Sequence, residues 1–366
     1  MIKKGVKFAL LGLLGLAIMT GVYLWLMFGQ LVQGALSVEK LDDGMYYMEY
    51  KGDDGFKELM ARGGCNNISA LASYVMEFMS KGYFKTDSVD LPVNPMGCST
   101  LTVKTPDDGV MMARNFDYPY GTALIVHTIP DDGYESISTF STDFLGFGDA
   151  YKPEGFKNQY MALTGLFLAL DGLNEKGLAI AILEAGDKEE THQRTDKPDL
   201  TTTTAAQYLL KNAANVDEAL ALLKGTDMNS DPGSAYHISM ADASGRSVAV
   251  EYIDNEMIVT ETPFVTNHYL CEKKFQTGLR ENDHRHETLM KQYGATNGVM
   301  NAQQLTKAIA SVAQMPEKGA VVGGTLWTMV MDLTHPSVTY YSLRHFDKPF
   351  HFELSRAKKA KAAIRD

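Results

Sequence analysis

Several common chemistries are missing from this chain. There is no His-Glu-x-x-His and no Cys-x-x-Cys, so a structural or catalytic zinc has no support. Glycine pairs such as Gly323-Gly324 match neither phosphate-binding fingerprint, and Gly-x-Ser-x-Gly is absent, so a serine α/β-hydrolase has no support. We expect no metal and no cofactor. Positive charge is short: 34 Lys and Arg stand against 45 Asp and Glu, and the net charge of −11 argues against nucleic acid as a partner. There is no internal repeat and no Pro/Ser-rich linker. Only three cysteines occur, Cys65, Cys98 and Cys271. The 45% apolar content supports a sizeable core, and 366 residues are enough for one large domain or two ordinary ones.

One long apolar run is present. Residues 8–28 carry no charge and are long enough to span a bilayer as a helix. Lys3, Lys4 and Lys7 precede the run, whereas Glu39, Asp42 and Asp43 follow it. The positive-inside bias leaves residues 1–7 in the cytoplasm and the remainder outside. A signal peptide removed with residues 1–35 is the alternative and would give a secreted protein. Against it, the run exceeds the usual apolar core, and no clean small-x-small site precedes Leu36.

The stretch that organises the chemistry is Gly97-Cys98-Ser99-Thr100, continued to Thr105, then Pro106-Asp107-Asp108-Gly109, then Val110 to Asp117. It reads as strand, turn, strand. With a four-residue loop, position 105 faces 110 and Cys98 faces Asp117. Arg114 then points to the other face unless a bulge intervenes. A guanidinium near the thiol favours the thiolate, and a carboxylate can orient a nearby amine.

Gly-Cys-Ser-Thr followed sixteen residues after the cysteine by Arg-Asn-Phe-Asp resembles the choloylglycine hydrolase family of N-terminal-nucleophile hydrolases, which includes bile salt hydrolases and penicillin V acylases, with acid ceramidase related. Two further elements are similar: the Asn174-Glu175-Lys176-Gly177-Leu178 hairpin and Thr266-Asn267. The resemblance implies an α+β fold, the four-layer αββα sandwich, here preceded by one transmembrane helix. It implies a linear-amide hydrolase whose cysteine becomes the first residue of the mature chain. Cys98 is then nucleophile, with Arg114 and Asp117 beside it and Asn267 as an oxyanion donor. Arg285 resembles a second family arginine. Bile salt hydrolases have asparagine where this chain has Glu184; a backbone N–H there can still donate.

The resulting organisation is a cytoplasmic N-terminus (1–7), an anchor or signal (8–28), a prosegment packed on the catalytic domain (29–97) and the catalytic domain (98–366). Asn67 caps a helix whose stripe is Ile68, Leu71, Tyr74, Val75, Phe78 and Met79. Strands are expected at 45–50, 124–129, 179–183, 236–240, 247–252, 326–333 and 338–343, and helices near 205–213, 216–220 and 304–312. Phe140, Phe144 and Trp327 are candidates for an apolar acyl pocket. The expected partner is a small N-acyl amide, with the membrane through residues 8–28, no nucleic acid and a homo-oligomer open. Bile salt or penicillin V acylase, acyltransferase and a non-catalytic tethered binding protein stand as alternatives. A Cys65–Cys271 bridge and two free thiols also remain open.

Overall fold

The computed structural model describes residues 2–86, 97–145, 151–185, 190–230, 234–275, 277, 284–316 and 324–354. Helix α1 (Ile2–Leu36) leads into β1 (Glu39–Asp42), β2 (Met45–Gly52), α2 (Phe56–Ala61) and α3 (Ile68–Met79). Then come β3 (Gly97–Lys104), β4 (Val110–Asp117), β5 (Ala123–Pro130), β6 (Ser136–Ser141), α4 (Phe156–Met161), β7 (Asp171–Asn174) and β8 (Ala179–Glu184). After β9 (Asp199–Thr201), α5 (Thr202–Asn212), α6 (Val216–Lys224) and β10 (Asp227–Asn229), the chain forms β11 (Tyr236–Ala241), β12 (Ser247–Ile253), β13 (Glu256–Glu261) and β14 (Phe264–Val265). It closes with α7 (His284–Ala295), α8 (Ala302–Ala310), β15 (Thr325–Asp332), β16 (Ser337–Ser342) and β17 (Phe350–Glu353).

The strands build a nine-stranded sheet in the order β1-β2-β5-β6-β7-β8-β11-β12-β13 and a six-stranded sheet in the order β14-β3-β4-β15-β16-β17. Alternation along each strand sends its side chains to two cores. Phe116, Trp327 and Met329 of the smaller sheet pack with Leu124, Leu173 and Leu183 of the larger one, so the main core lies between the sheets. Ile180, Ile238 and Val250 turn the other way, onto Leu209 of α5 and Leu220 of α6. Leu101, Ala113 and Val330 likewise meet Leu289 of α7 and Leu305 of α8. The layers are therefore helix, sheet, sheet, helix.

The segment before Cys98 is part of this architecture. β2 pairs in parallel with β5 over eight residues, Met45–Gly52 against Ala123–Pro130. α3 forms as expected: the Asn67 side chain accepts a hydrogen bond from the Ala70 N–H, and Tyr74 and Phe78 meet the Phe167 ring edge-on. Asp54 and Lys211 form a buried ion pair between this segment and α5, with Lys211 Nζ 2.6 and 2.7 Å from the two carboxylate oxygens. α1 extends beyond the apolar run in both directions. Its last turns bury Leu31 and Ala35 against the domain, packing on β2 and α4, while Leu10 to Leu26 stay outside the core. It is the one helix among the described residues long and apolar enough to cross a membrane.

The central hairpin departs from the sequence expectation by one residue. Lys104 pairs with Val110 and Cys98 with Phe116, so Asp117 sits opposite Gly97. The cause is the loop. Thr105 N–H donates to the Gly109 carbonyl, Thr105 Oγ1 accepts from the Gly109 N–H, and Asp108 takes φ +63°. That is a three-residue loop with a left-handed last position, where a four-residue loop was expected. The slip turns Arg114 onto the face of Cys98, as its diagonal neighbour, without a bulge between β3 and β4. The three cysteines are free and buried, and Cys65 and Cys271 belong to different core clusters.

Candidate active site

Cys98 is the second residue of β3 and faces the other sheet with no exposed surface. Its polar partners come from β4, the segment after β14 and α7. Arg114, two positions from the Cys98 partner on β4, sends Nη2 to within 3.4 Å of the sulfur and donates from the same atom to the Ile182 carbonyl of β8 at 2.8 Å. Arg114 also pairs with Asp171 of β7. The Cys98 N–H donates to Asn267 Oδ1 at 2.7 Å, and the Cys98 carbonyl accepts from Arg285 Nη1 at 3.0 Å. Arg285 continues to Asp117 Oδ2 at 2.8 Å and to Asn267 Oδ1 at 2.7 Å. The second Asp117 oxygen accepts from Thr325 Oγ1 at 2.6 Å.

The two faces of β3 and β4 explain this distribution. Even-numbered positions point between the sheets and bring Arg114 to the sulfur. Asp117 is odd and points toward α7, where Arg285 waits on the first turn. Asn267 lies just past β14, which pairs with β3 at Thr100 and Leu101, so short chain geometry delivers its amide to Cys98. Asn267 Nδ2 donates to the Glu184 carbonyl at 2.7 Å, tying this corner to the end of β8. The Glu184 carboxylate is turned aside and accepts from Ser234 Oγ at 2.7 Å.

Burial sets the resting protonation. It pushes the Cys98 thiol above its ordinary value; Arg114 pulls it back, the Asp117 charge adds to the rise, and Arg285 opposes it. Burial also lowers Arg114 from the usual guanidinium value, opposed by the adjacent sulfur.

Every residue singled out for chemistry from the sequence therefore lies in one corner: Cys98, Arg114, Asp117, Asn267, Arg285 and the Glu184 backbone. The proposed pocket residues differ among themselves. Trp327 has no exposed surface and stacks on Phe116 at 4.0 Å, and Phe140 is equally buried. Phe144 is half-buried and stacks on Tyr118 at 5.4 Å. Sequence reasoning missed Thr325 and Asp171. Asp171 opens the Asp-Gly-Leu-Asn-Glu-Lys-Gly-Leu hairpin, so a usable signal was present beside the turn residues. Among the described residues, no group of three or more His, Cys, Asp or Glu side chains could hold a metal ion.

Known proteins share sequence and fold with this chain. The chain is 34% identical over 105 residues to a penicillin V acylase from Pectobacterium atrosepticum, a match spanning 26% of this chain and 28% of that relative. Its fold is shared with a penicillin V acylase from Agrobacterium tumefaciens, with a TM-score of 0.51 at 20% identity over 71% of this chain and 87% of the other. A conjugated bile acid hydrolase from Clostridium perfringens gives a TM-score of 0.54 at 14% identity, covering 71% and 93%. Both neighbours are N-terminal-nucleophile hydrolases in fold. Residues 103–345 match the family described as acyl-coenzyme A:6-aminopenicillanic acid acyl-transferase, and the chain belongs to that family, within the penicillin acylase and choloylglycine hydrolase group.

Proposed function

We propose that the protein is a cysteine amidase that cleaves the linear C–N bond of N-acyl compounds. In this reading Cys98 becomes an N-terminal nucleophile by autocleavage of the Gly97–Cys98 bond. The observation that carries the reading is the convergence on one residue: Arg114 holds the Cys98 sulfur, Asn267 its nitrogen and Arg285 its carbonyl.

Before cleavage the Cys98 nitrogen is an amide and cannot serve as a base. The sulfur attacks the Gly97 carbonyl, the C–N bond breaks, and the acyl group moves to sulfur. Water hydrolyses that thioester, leaving residues 1–97 with a carboxylate and Cys98 with a free amine. The amine, whose ordinary pKa is ~7.7–8.0, then takes the thiol proton. The thiolate attacks the substrate carbonyl, and the ammonium returns the proton to the leaving amine. Water hydrolyses the acyl-thioester to acid and free thiol. Asn267 Nδ2 and a backbone N–H at the end of β8 by Glu184 are the oxyanion donors, and removing one such donor can cost ~3–4 kcal/mol.

The freed segment stays attached in this reading, because it supplies β2 to the larger sheet and Asp54 to a buried ion pair. Residues 8–28 anchor it in a membrane with the catalytic domain outside, as the flanking lysines favour. The helix runs into the domain without a break, so the anchor is a stiff one. The acyl chain enters past Phe144 toward Phe140 and Trp327, which favours medium or long N-acyl chains over sterol conjugates. Acyl transfer to an amine is the second reading, favoured by the family description, because the thioester is common to both.

The test is a panel of N-acyl amides of graded chain length, conjugated bile salts and penicillin V, run on the wild type and on Cys98→Ala. Release of amine from N-acyl amides by the wild type alone supports the reading. Activity retained in Cys98→Ala refutes it.

A further inference from the structure

We propose that Asp171 is a positioning residue for the Cys98 chemistry: its carboxylate clamps the Arg114 guanidinium and sets how much of that cation's field reaches the sulfur. The inference rests on the reading of Cys98 as nucleophile. Arg114, Asp171, Cys98 and Trp327 are all without exposed surface, so no water screens their charges.

The geometry is tightly determined. Arg114 splits its guanidinium: Nη2 serves the Cys98 sulfur and the Ile182 carbonyl, while Nη1 serves Asp171. Trp327 Nε1 donates to Asp171 Oδ2 at 2.9 Å, the oxygen that faces Arg114. The guanidinium carbon also lies 5.1 Å from the Phe116 ring centroid and 5.8 Å from that of Trp327, so aromatic faces limit its swing. Asp171 is fixed in turn by its strand, pairing with Thr139 of β6 and Ala181 of β8. The following residue must be glycine: a Cβ on Gly172 would come within 2.6 Å of the Ile137 carbonyl oxygen and of Leu210.

The other charged groups acting on the sulfur are Asp117 on β4 and Arg285 on α7, and Asp117, together with Tyr340 of β16, also acts on Arg114. Asp117 and Arg285 pair with each other. Asp171 is thus the anion in direct contact with Arg114, the cation that among the described residues touches the sulfur. Asp171→Asn keeps the shape and an acceptor oxygen but removes the charge in contact with Arg114, so more of the guanidinium field reaches the sulfur and the thiolate gains. Trp327→Phe removes a donor from the carboxylate, leaves its charge less compensated and so facing Arg114 more strongly, and has the opposite effect.

The experiment is an ultraviolet titration of the Cys98 thiolate in the detergent-solubilised full chain, taken as the difference from Cys98→Ala. Asp171→Asn should move the midpoint down by about one pH unit, a tenfold change in the thiol–thiolate ratio, and lower kcat. Trp327→Phe should move it up. A purely structural Asp171 would lower turnover without moving either midpoint, and unmoved midpoints overturn the proposal, as does an upward shift in Asp171→Asn. If Asp171→Asn does not fold, the sign in Trp327→Phe decides. Midpoints that shift as stated in a chain with no amidase activity would retire the hydrolase reading and leave the clamp standing.

Discussion

Replacing Lys211 by methionine should loosen the attachment of residues 29–97, and the size of the effect follows from burial. Lys211 and Asp54 are 5% and 2% exposed, and the ammonium contacts both carboxylate oxygens. Without it the carboxylate keeps one backbone donor, the Phe56 N–H at 3.0 Å. Breaking such a pair from one side costs about 3–5 kcal/mol, which at the scale of a chain this size lowers the unfolding midpoint by roughly five degrees. Burial holds the Asp54 carboxyl above its ordinary value, and Lys211 opposes the rise. A raised folded-state value means that the folded chain binds the proton more readily, so stability falls as pH rises through that value. Removing Lys211 strengthens the rise, and the deficit should therefore be larger at neutral than at mildly acidic pH. The assay is thermal unfolding of the purified chain at both pH values, with Asp54→Leu/Lys211→Met as the partner variant. The double variant should recover most of the loss, since it leaves no buried charge. A pH-independent deficit, or a double variant as unstable as the single one, would refute the reasoning.

Other expectations are as direct. Thr325→Val removes a donor from Asp117 worth about 2 kcal/mol, so kcat should fall about tenfold to thirtyfold with little change in KM, measured by steady-state amidase kinetics. Glu251 accepts from the Leu270 and Cys271 N–H groups and so pins the turn that carries Asn267. Burial raises its carboxyl, but His237 and those N–H groups outweigh burial and hold it below its ordinary value. The stability it contributes is thus present above the ordinary glutamate pKa and lost as pH falls through the lowered value; Glu251→Gln should flatten that acid limb in pH-dependent unfolding. Protease treatment of intact cells should remove a C-terminal tag and spare an N-terminal one; the reverse would invert the proposed orientation.

Much of the candidate site was readable once the family resemblance was joined to order and spacing. Cys98, Arg114, Asp117, Asn267 and Arg285 occur in the sequence order that the family resemblance requires, and the fold gathers them. The hairpin register was not readable, because it depended on whether Thr105 closes the loop or belongs to the strand. A left-handed Asp108 decided that, and a one-residue slip moved Arg114 from the far face to the sulfur. Strands with strong apolar content, such as β8 and β15, were legible. Short or polar ones, such as β1, β9, β10 and β17, were not, since their pairing depends on neighbours distant in the chain. Lys211 was invisible for the same reason: it is an ordinary charged residue until the helix that carries it is packed, whereas Asp171 stood beside a legible hairpin and was passed over.

The central claim is that Cys98 acts as a chain terminus, and intact-mass measurement with N-terminal sequencing of the purified wild-type protein tests it most directly. The account predicts two copurifying fragments, the larger beginning at Cys98, and a single chain in Cys98→Ala. A wild-type protein that hydrolyses amides with the Gly97–Cys98 bond unbroken would contradict it.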